Sequence, residues 1–336
     1  MACRRWGLVA LTALALLVIA GTAAACAARP AIRPTPRHSA APRSSALWTL
    51  SDRGIKTQLI MQMKRAPQLV VLGGSRALRF EPGFMRRVTG LSAFNAAVPH
   101  ATPQDEWCFV NLFHRHFPNA RFRFLWIIHS DEFDEYSPGA ALLEDPFLSR
   151  FLPGSFVDAQ LGRLGASANV MLLAGAKQPS IIAADGFTIS DPISTAASMG
   201  SLRQRVDGDA RAALSFYRRQ PPRIDPSPSH YFAMTLRLMN DMGTRPTVVL
   251  APLQPWYLSA IANRGWDARH RLVLAYLHAL QKSARFNVLD FSRLSSVGGS
   301  ATGFYDGVHL RPATTRLVVD AVLRSLPHAF AATKGA

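Results

Sequence analysis

Cysteine is nearly absent: the chain has three in 336 residues, and two of them, Cys3 and Cys26, fall within the first 26. That excludes a disulfide framework, and Cys108 reads as a small core residue. Lysine is scarce too, since 33 of the 38 basic residues are arginine. Acidic residues number only 21, for a formal charge of +17. A GC-rich coding sequence produces such a skew without any partner; the skew also fits attraction to an anionic polymer or lipid outside the cell. No basic stretch is long or interleaved with aromatics, so nothing points to nucleic acid. The chain has no Gly-Lys-Ser/Thr phosphate loop, no Gly-x-Gly-x-x-Gly and no internal repeat. His114 and His116 lie two apart, so a helix would turn them to different sides, and the spacing is not that of the usual zinc sites. No metal ion or cofactor is expected.

What is present begins with a targeting segment. Arg4 and Arg5 precede an apolar run, 8–20, broken only by Thr12, and small residues lead on to Ala23-Ala24-Ala25-Cys26. That is the order of a secretory signal. Three fates fit residues 1–26. Cys26 could be lipidated, because the tetrapeptide resembles a bacterial lipobox, although Ala23 stands where a Leu-like residue is usual. Residues 8–25 could stay as a signal anchor, making a helix of about 27 Å against an apolar core of about 30 Å. Simple secretion is the third. Each puts the rest of the chain outside the cytoplasm, and the first two tether it to the membrane. Residues 27–46, with prolines at 30, 34, 36 and 42, suit a spacer that buries no core. The folded part is expected over 47–330.

Short apolar runs punctuate that part: 68–72, 92–95, 122–128, 247–251 and 286–291. Between them lie stretches with helical spacing at 55–64, 82–88, 103–117 and 267–284, and a last helix follows Pro312. Apolar strands alternating with amphipathic helices predict an α/β fold, a doubly wound parallel sheet of about five strands. Residues 136–229 break the alternation and read as a mostly helical insertion, a lid or cap. In such sheets ligands bind beyond the carboxyl ends of the strands, which places Ser75, Asn95 and His129 on one rim.

Chemistry is suggested at two places. Gly73-Gly74-Ser75-Arg76 closes the first apolar run, where two glycines permit a tight bend and Ser75 opens a helix. Alone, this is an ordinary strand-to-helix turn with a capping serine. Far downstream, Asp306-Gly307-Val308-His309-Leu310-Arg311-Pro312 precedes the last helix, with an acid and an imidazole three apart. A serine hydroxyl needs a base to take its proton and a third group to hold that base. Two further clusters have bland readings. The acidic run 131–135 fits a solvated loop, and Trp256-Tyr257 fits core packing as well as stacking on a sugar.

Taken together, these segments resemble the SGNH/GDSL hydrolase superfamily. Gly73-Gly74-Ser75-Arg76 looks like its first block in the GSSR-like variant, and Asp306-Gly307-Val308-His309-Leu310-Arg311-Pro312 matches its last. The stretch 95–105 resembles the second block, with Ala97 and His100 at its two glycines. The resemblance implies a flavodoxin-like fold and a serine esterase or O-acyltransferase, with Ser75 as nucleophile, His309 as base and Asp306 orienting it. It implies oxyanion or substrate contacts from the segment of Asn95 and His100. The third-block Asn is missing: Ile128-His129-Ser130-Asp131 stands in its place, leaving Arg76, His129 or Ser130 as substitutes. The branch includes DltD/AlgX-type envelope proteins, so an acylated envelope polysaccharide or small ester is the implied substrate. A catalytically degenerate protein that binds an envelope polymer or partner is the alternative.

Overall fold

The computed structural model describes residues 51–134, 140–162, 180–197 and 200–330. The targeting segment, Cys26 and the spacer lie outside the described residues, as does Glu135. Among the described residues no helix is long and apolar enough to cross a membrane.

Five parallel strands form the central sheet: β1 (Leu69–Gly73), β2 (Ala93–Asn95), β3 (Arg123–Ile128), β6 (Thr247–Leu250) and β7 (Asn287–Asp290). Their order, β2-β1-β3-β6-β7, is the flavodoxin-like one. A parallel sheet is covered on both faces, so its strands read as unbroken apolar runs. Alternate side chains then serve opposite layers. Val70, Leu72, Phe124, Trp126, Ile128 and Val248 face one core. Leu69, Val71, Leu125, Ile127 and Val249 face the other.

The first layer is made by α3 (Pro103–His116), α7 (Pro226–Asp241) and α9 (Trp266–Leu280), with α1 (Asp52–Gln62) at its margin. The second is made by α2 (Pro82–Thr89) and α10 (Pro312–Ser325). Proline takes the first turn of α2, α3, α7 and α10, where its missing N–H leaves no bond unmade. Cys108 is fully buried in the first core.

The insertion differs from the expectation in two ways. It carries a two-stranded antiparallel hairpin, β4 (Ile181–Ile182) and β5 (Thr188–Ser190), besides the helices α4 (Ala140–Leu143), α5 (Pro192–Ala196) and α6 (Leu202–Arg219). Asp185-Gly186 makes the turn, with Gly186 at φ +79, and the Asp185 carbonyl accepts the Asn95 N–H at 3.0 Å. The expected boundary at 229 also runs too far. Helix α7 begins at Pro226 and belongs to the sheet layer, its Phe232 ring 4.3 Å from that of Trp126. A long amphipathic helix after a loop looks the same in sequence whether it joins the core or an appendage.

Candidate active site

Strand β1 ends at Gly73, where φ is +135 and a side chain would strike the Ile127 carbonyl. Glycine is required there. The chain then turns, and Ser75–Ala77 forms a single 3-10 turn closed by Ala77 N–H to Gly74 O at 2.9 Å. Ser75 opens this short turn rather than an α-helix, and the helix expected over 82–88 runs from Pro82 to Thr89. A three-residue turn carries little macrodipole, so the N–H groups themselves are what Ser75 offers an anion. Among the described residues no acceptor takes the Ser75 N–H.

The second segment runs alongside. Ala96 N–H bonds to Val71 O at 2.9 Å and Val98 N–H to Gly73 O at 3.1 Å, which lays residues 96–101 beside the serine turn. His100, at φ +51, is the one non-glycine residue with positive φ among those described. Glycine adopts this region most readily, and histidine is among the side chains that tolerate it. Helix α1 pins the segment from behind: Arg53 donates to the His100 carbonyl at 3.2 Å, and the buried Lys56 ammonium donates to the Ala97 carbonyl.

The third segment is the loop between β7 and α10. Phe304 and Leu310 pair across it, and Tyr305 N–H bonds to His309 O at 2.8 Å. Asp306 Oδ1 accepts the N–H groups of Val308 and His309, each at 2.9 Å. Its Oδ2 lies 2.6 Å from His309 Nδ1, and His309 Nε2 lies 2.8 Å from Ser75 Oγ. The three side chains, 231 positions apart between Ser75 and Asp306, thus form one hydrogen-bonded line. Burial pushes the Asp306 carboxyl up, but the His309 bond and charge and the two N–H groups outweigh it, leaving it below the usual range. An ionised Asp306 keeps the proton on Nδ1 and leaves Nε2 to accept from the serine hydroxyl. The His309 and Asp306 side chains are 18% and 15% exposed, so the line is reachable from solvent.

The insertion holds this loop. On α6, Arg205 Nε donates to Tyr305 O at 2.6 Å and Asp209 Oδ2 accepts Gly307 N–H at 2.8 Å. Residues 205 and 209 share a helix face, and their two bonds bracket Asp306. Gly307 is wedged between them and the Tyr257 ring, with no space for a Cβ. Neither Arg205 nor Asp209 is visible as a site residue in the sequence.

The remaining expected residues divide. Asn95 is fully buried and turned from the rim: its amide donates to the carbonyls of Ala77, Leu78 and Phe80 at 2.9, 3.3 and 2.9 Å, and its Oδ1 accepts Ala97 N–H at 2.9 Å. With its hydrogen-bonding capacity spent on backbone, it is not a substrate contact. His129 is committed too. Burial, with Arg76 and His309 acting the same way, pushes it well below the usual range, so it is neutral. Its Nδ1 accepts Asp131 N–H at 3.2 Å, and Nε2 faces Glu132 at 3.3 Å. It has no donor left for an oxyanion. Ser130 bonds to His270 Nδ1 at 3.0 Å, while His270 Nε2 meets Asp290 at 2.9 Å. That second serine–histidine–aspartate line presents its acid to solvent and buries its serine, the reverse of what attack on a substrate needs.

The acidic run is not a solvated loop. Glu132 and Asp134 are buried, and Asp134 pairs with Arg269 at 3.0 Å, an arginine 135 positions away that a local reading does not connect to it. Trp256 is 40% exposed, whereas Tyr257 is buried. His116 reaches the Met63 carbonyl at 3.3 Å, and among the described residues no cluster could hold a metal. Arg76, half-buried beside the nucleophile, makes no hydrogen bond or ion pair with any described residue.

No family model matches the chain, and no curated protein does. Among solved structures it is similar to a protein of Bacteroides fragilis assigned as an acylhydrolase. Identity is 11% and the TM-score 0.38, over 82% of this chain and 95% of that one. At that distance the likeness says nothing of what this chain acts on.

Proposed function

We propose that this chain is a serine esterase or O-acyltransferase of the SGNH type, acting outside the cytoplasm on an acylated envelope polysaccharide or a small ester. The observation that carries the reading is the line Ser75 Oγ–His309 Nε2, His309 Nδ1–Asp306 Oδ2, at 2.8 and 2.6 Å. Both distances lie within hydrogen-bond range before any substrate is bound.

The steps follow from that line. His309 Nε2 takes the Ser75 proton as Oγ bonds to the acyl carbon, and the carbonyl π electrons move onto oxygen. The Ser75 N–H, which no described residue accepts, is left to donate to the resulting oxyanion. Collapse breaks the carbon–alkoxy bond, and the imidazolium returns the proton to the leaving oxygen. Water or an acceptor hydroxyl gives its proton to His309 as its oxygen bonds to the acyl carbon; the bond from that carbon to Ser75 Oγ then breaks, and the imidazolium returns the proton to Oγ. Asp306 stays ionised and holds the ring throughout.

A second reading, a binding protein without turnover, is favoured by one observation: Asn95, His129 and Ser130 all spend their polar atoms inside the protein. Removing one oxyanion donor costs about 3–4 kcal/mol of barrier. Turnover of a 4-nitrophenyl acyl ester, with labelling of Ser75 by a fluorophosphonate and loss of both in Ser75→Ala, is the expected result. No labelling and no turnover would favour the binder.

A further inference from the structure

We propose that Arg76 selects substrates carrying an anionic group, a carboxylate, sulfate or phosphate, next to the ester that Ser75 attacks. This inference rests on the esterase reading and names the substrate class for the same site. Arg76 follows the nucleophile directly, in the single turn of residues Ser75–Ala77, and it is half-buried. Its guanidinium has five N–H donors in a fork that matches two oxygens of an anion. No described residue takes any of them, and no carboxylate oxygen of a described residue lies within 4.0 Å.

None of the described acids around it is in contact with it. Asp131 feels the charge of Arg76 most among its neighbours, yet its contacts are the Tyr217 hydroxyl at 3.4 Å and Arg269 at 3.7 Å. Asp134 belongs to Arg269 at 3.0 Å. Glu132 faces His129, and burial pushes its carboxyl up to about 8, so it carries little charge at neutral pH. Asp306 and Asp209 hold His309 and Gly307. Arg76 thus feels the charge of Asp131 while touching no described acid, and its N–H donors, one residue from the nucleophile, are left for an anion that a ligand brings. Tyr217 and Tyr257, also within its field, are buried, and burial keeps both phenols protonated, so neither competes as an anion.

The test compares matched esters. On the acyl side the pair is 4-nitrophenyl hemisuccinate and its neutral methyl succinate counterpart. On the alcohol side it is 4-acetoxybenzoate and its methyl ester. In the wild type the anionic member of at least one pair should have kcat/KM at least about tenfold higher, the worth of one charge-assisted contact. In Arg76→Gln that ratio should fall to near one, and Arg76→Lys should restore part of it. A wild-type ratio at or below one in both pairs overturns the proposal. So does a ratio that survives in Arg76→Gln because both rates fall together, which is the signature of a general oxyanion donor. If the wild type hydrolyses no ester, the esterase reading fails. The anion site is then read alone by calorimetry with monomethyl succinate on Ser75→Ala: binding weakened at least tenfold by adding Arg76→Gln supports it, and equal binding or none sinks it.

Discussion

Asn95→Ala separates the two roles the side chain could have. A substrate contact at the rim would change KM and leave stability alone. The structure instead has Asn95 tying the turn after Ser75 to β2 through three hydrogen bonds, at 2.9, 3.3 and 2.9 Å, and accepting Ala97 N–H through a fourth at 2.9 Å. A net bond is worth about 1 kcal/mol, and a buried group left bare costs about 1–3 kcal/mol. Alanine cannot replace either the amide donors or the acceptor for Ala97, so the expected loss is about 3–5 kcal/mol, including the small cavity. Urea unfolding followed by circular dichroism measures it. With a slope of about 2–3 kcal/mol per molar, the midpoint should drop by more than about 1 M. Since the bonds hold the carbonyls of Ala77, Leu78 and Phe80, the serine turn should loosen and kcat fall in the protein that remains folded. A loss under about 1 kcal/mol together with a raised KM would refute this reading and return Asn95 to the substrate.

Other predictions concern the loop and the buried acids. Asp209→Asn keeps the size but weakens the acceptor for Gly307 N–H; kcat/KM for an aryl ester should fall about tenfold with the melting temperature shifted by only a few degrees. An unchanged rate would mean that α6 does not position His309. Gly307→Ala forces a methyl into the Tyr257 ring; a loss of about 1–3 kcal/mol in chemical denaturation is expected, and wild-type stability would contradict the packing. Burial raises the folded Glu132 carboxyl to about 8, above its ordinary value of 4.5. The unfolded chain therefore releases that proton first, and stability declines as pH rises from about 4.5 to about 8. Glu132→Gln should flatten the decline, seen as a smaller drop in melting temperature between pH 5 and pH 7.5; an unaltered slope would exclude Glu132 as its source. Asp290 runs the other way: burial pushes it up, but His270 and Ser292 outweigh this and hold it at about 2. Its stabilisation is present above its ordinary value of 3.8 and lost as pH falls through about 2. With the side chain 35% exposed, Asp290→Asn should cost about 1 kcal/mol at pH 6 and only a small part of that at pH 2 by urea titration.

Residue order alone is enough to specify the sheet and the two ends of the hydrogen-bonded line. A strand covered on both faces must be apolar throughout, so runs such as Leu69-Val70-Val71-Leu72 and Phe124-Leu125-Trp126-Ile127-Ile128 have no other comfortable place. Gly73 is demanded by local geometry, and Asp306 and His309 sit on one turn, so their relation is local too. Packing of distant segments sets where polar side chains point and which groups meet them. Asn95 and His129 were placed on the correct rim, yet rotation of a few side-chain bonds spends them on neighbouring backbone and on Glu132. The acidic run reads as solvated until Arg269 arrives from a distant helix to neutralise Asp134. Helix α6 carries no motif, but its Arg205 and Asp209 clamp the loop of Asp306. Such partnerships depend on packing between segments far apart in the chain, and hydrophobic periodicity, which reports only which face is buried, is blind to them.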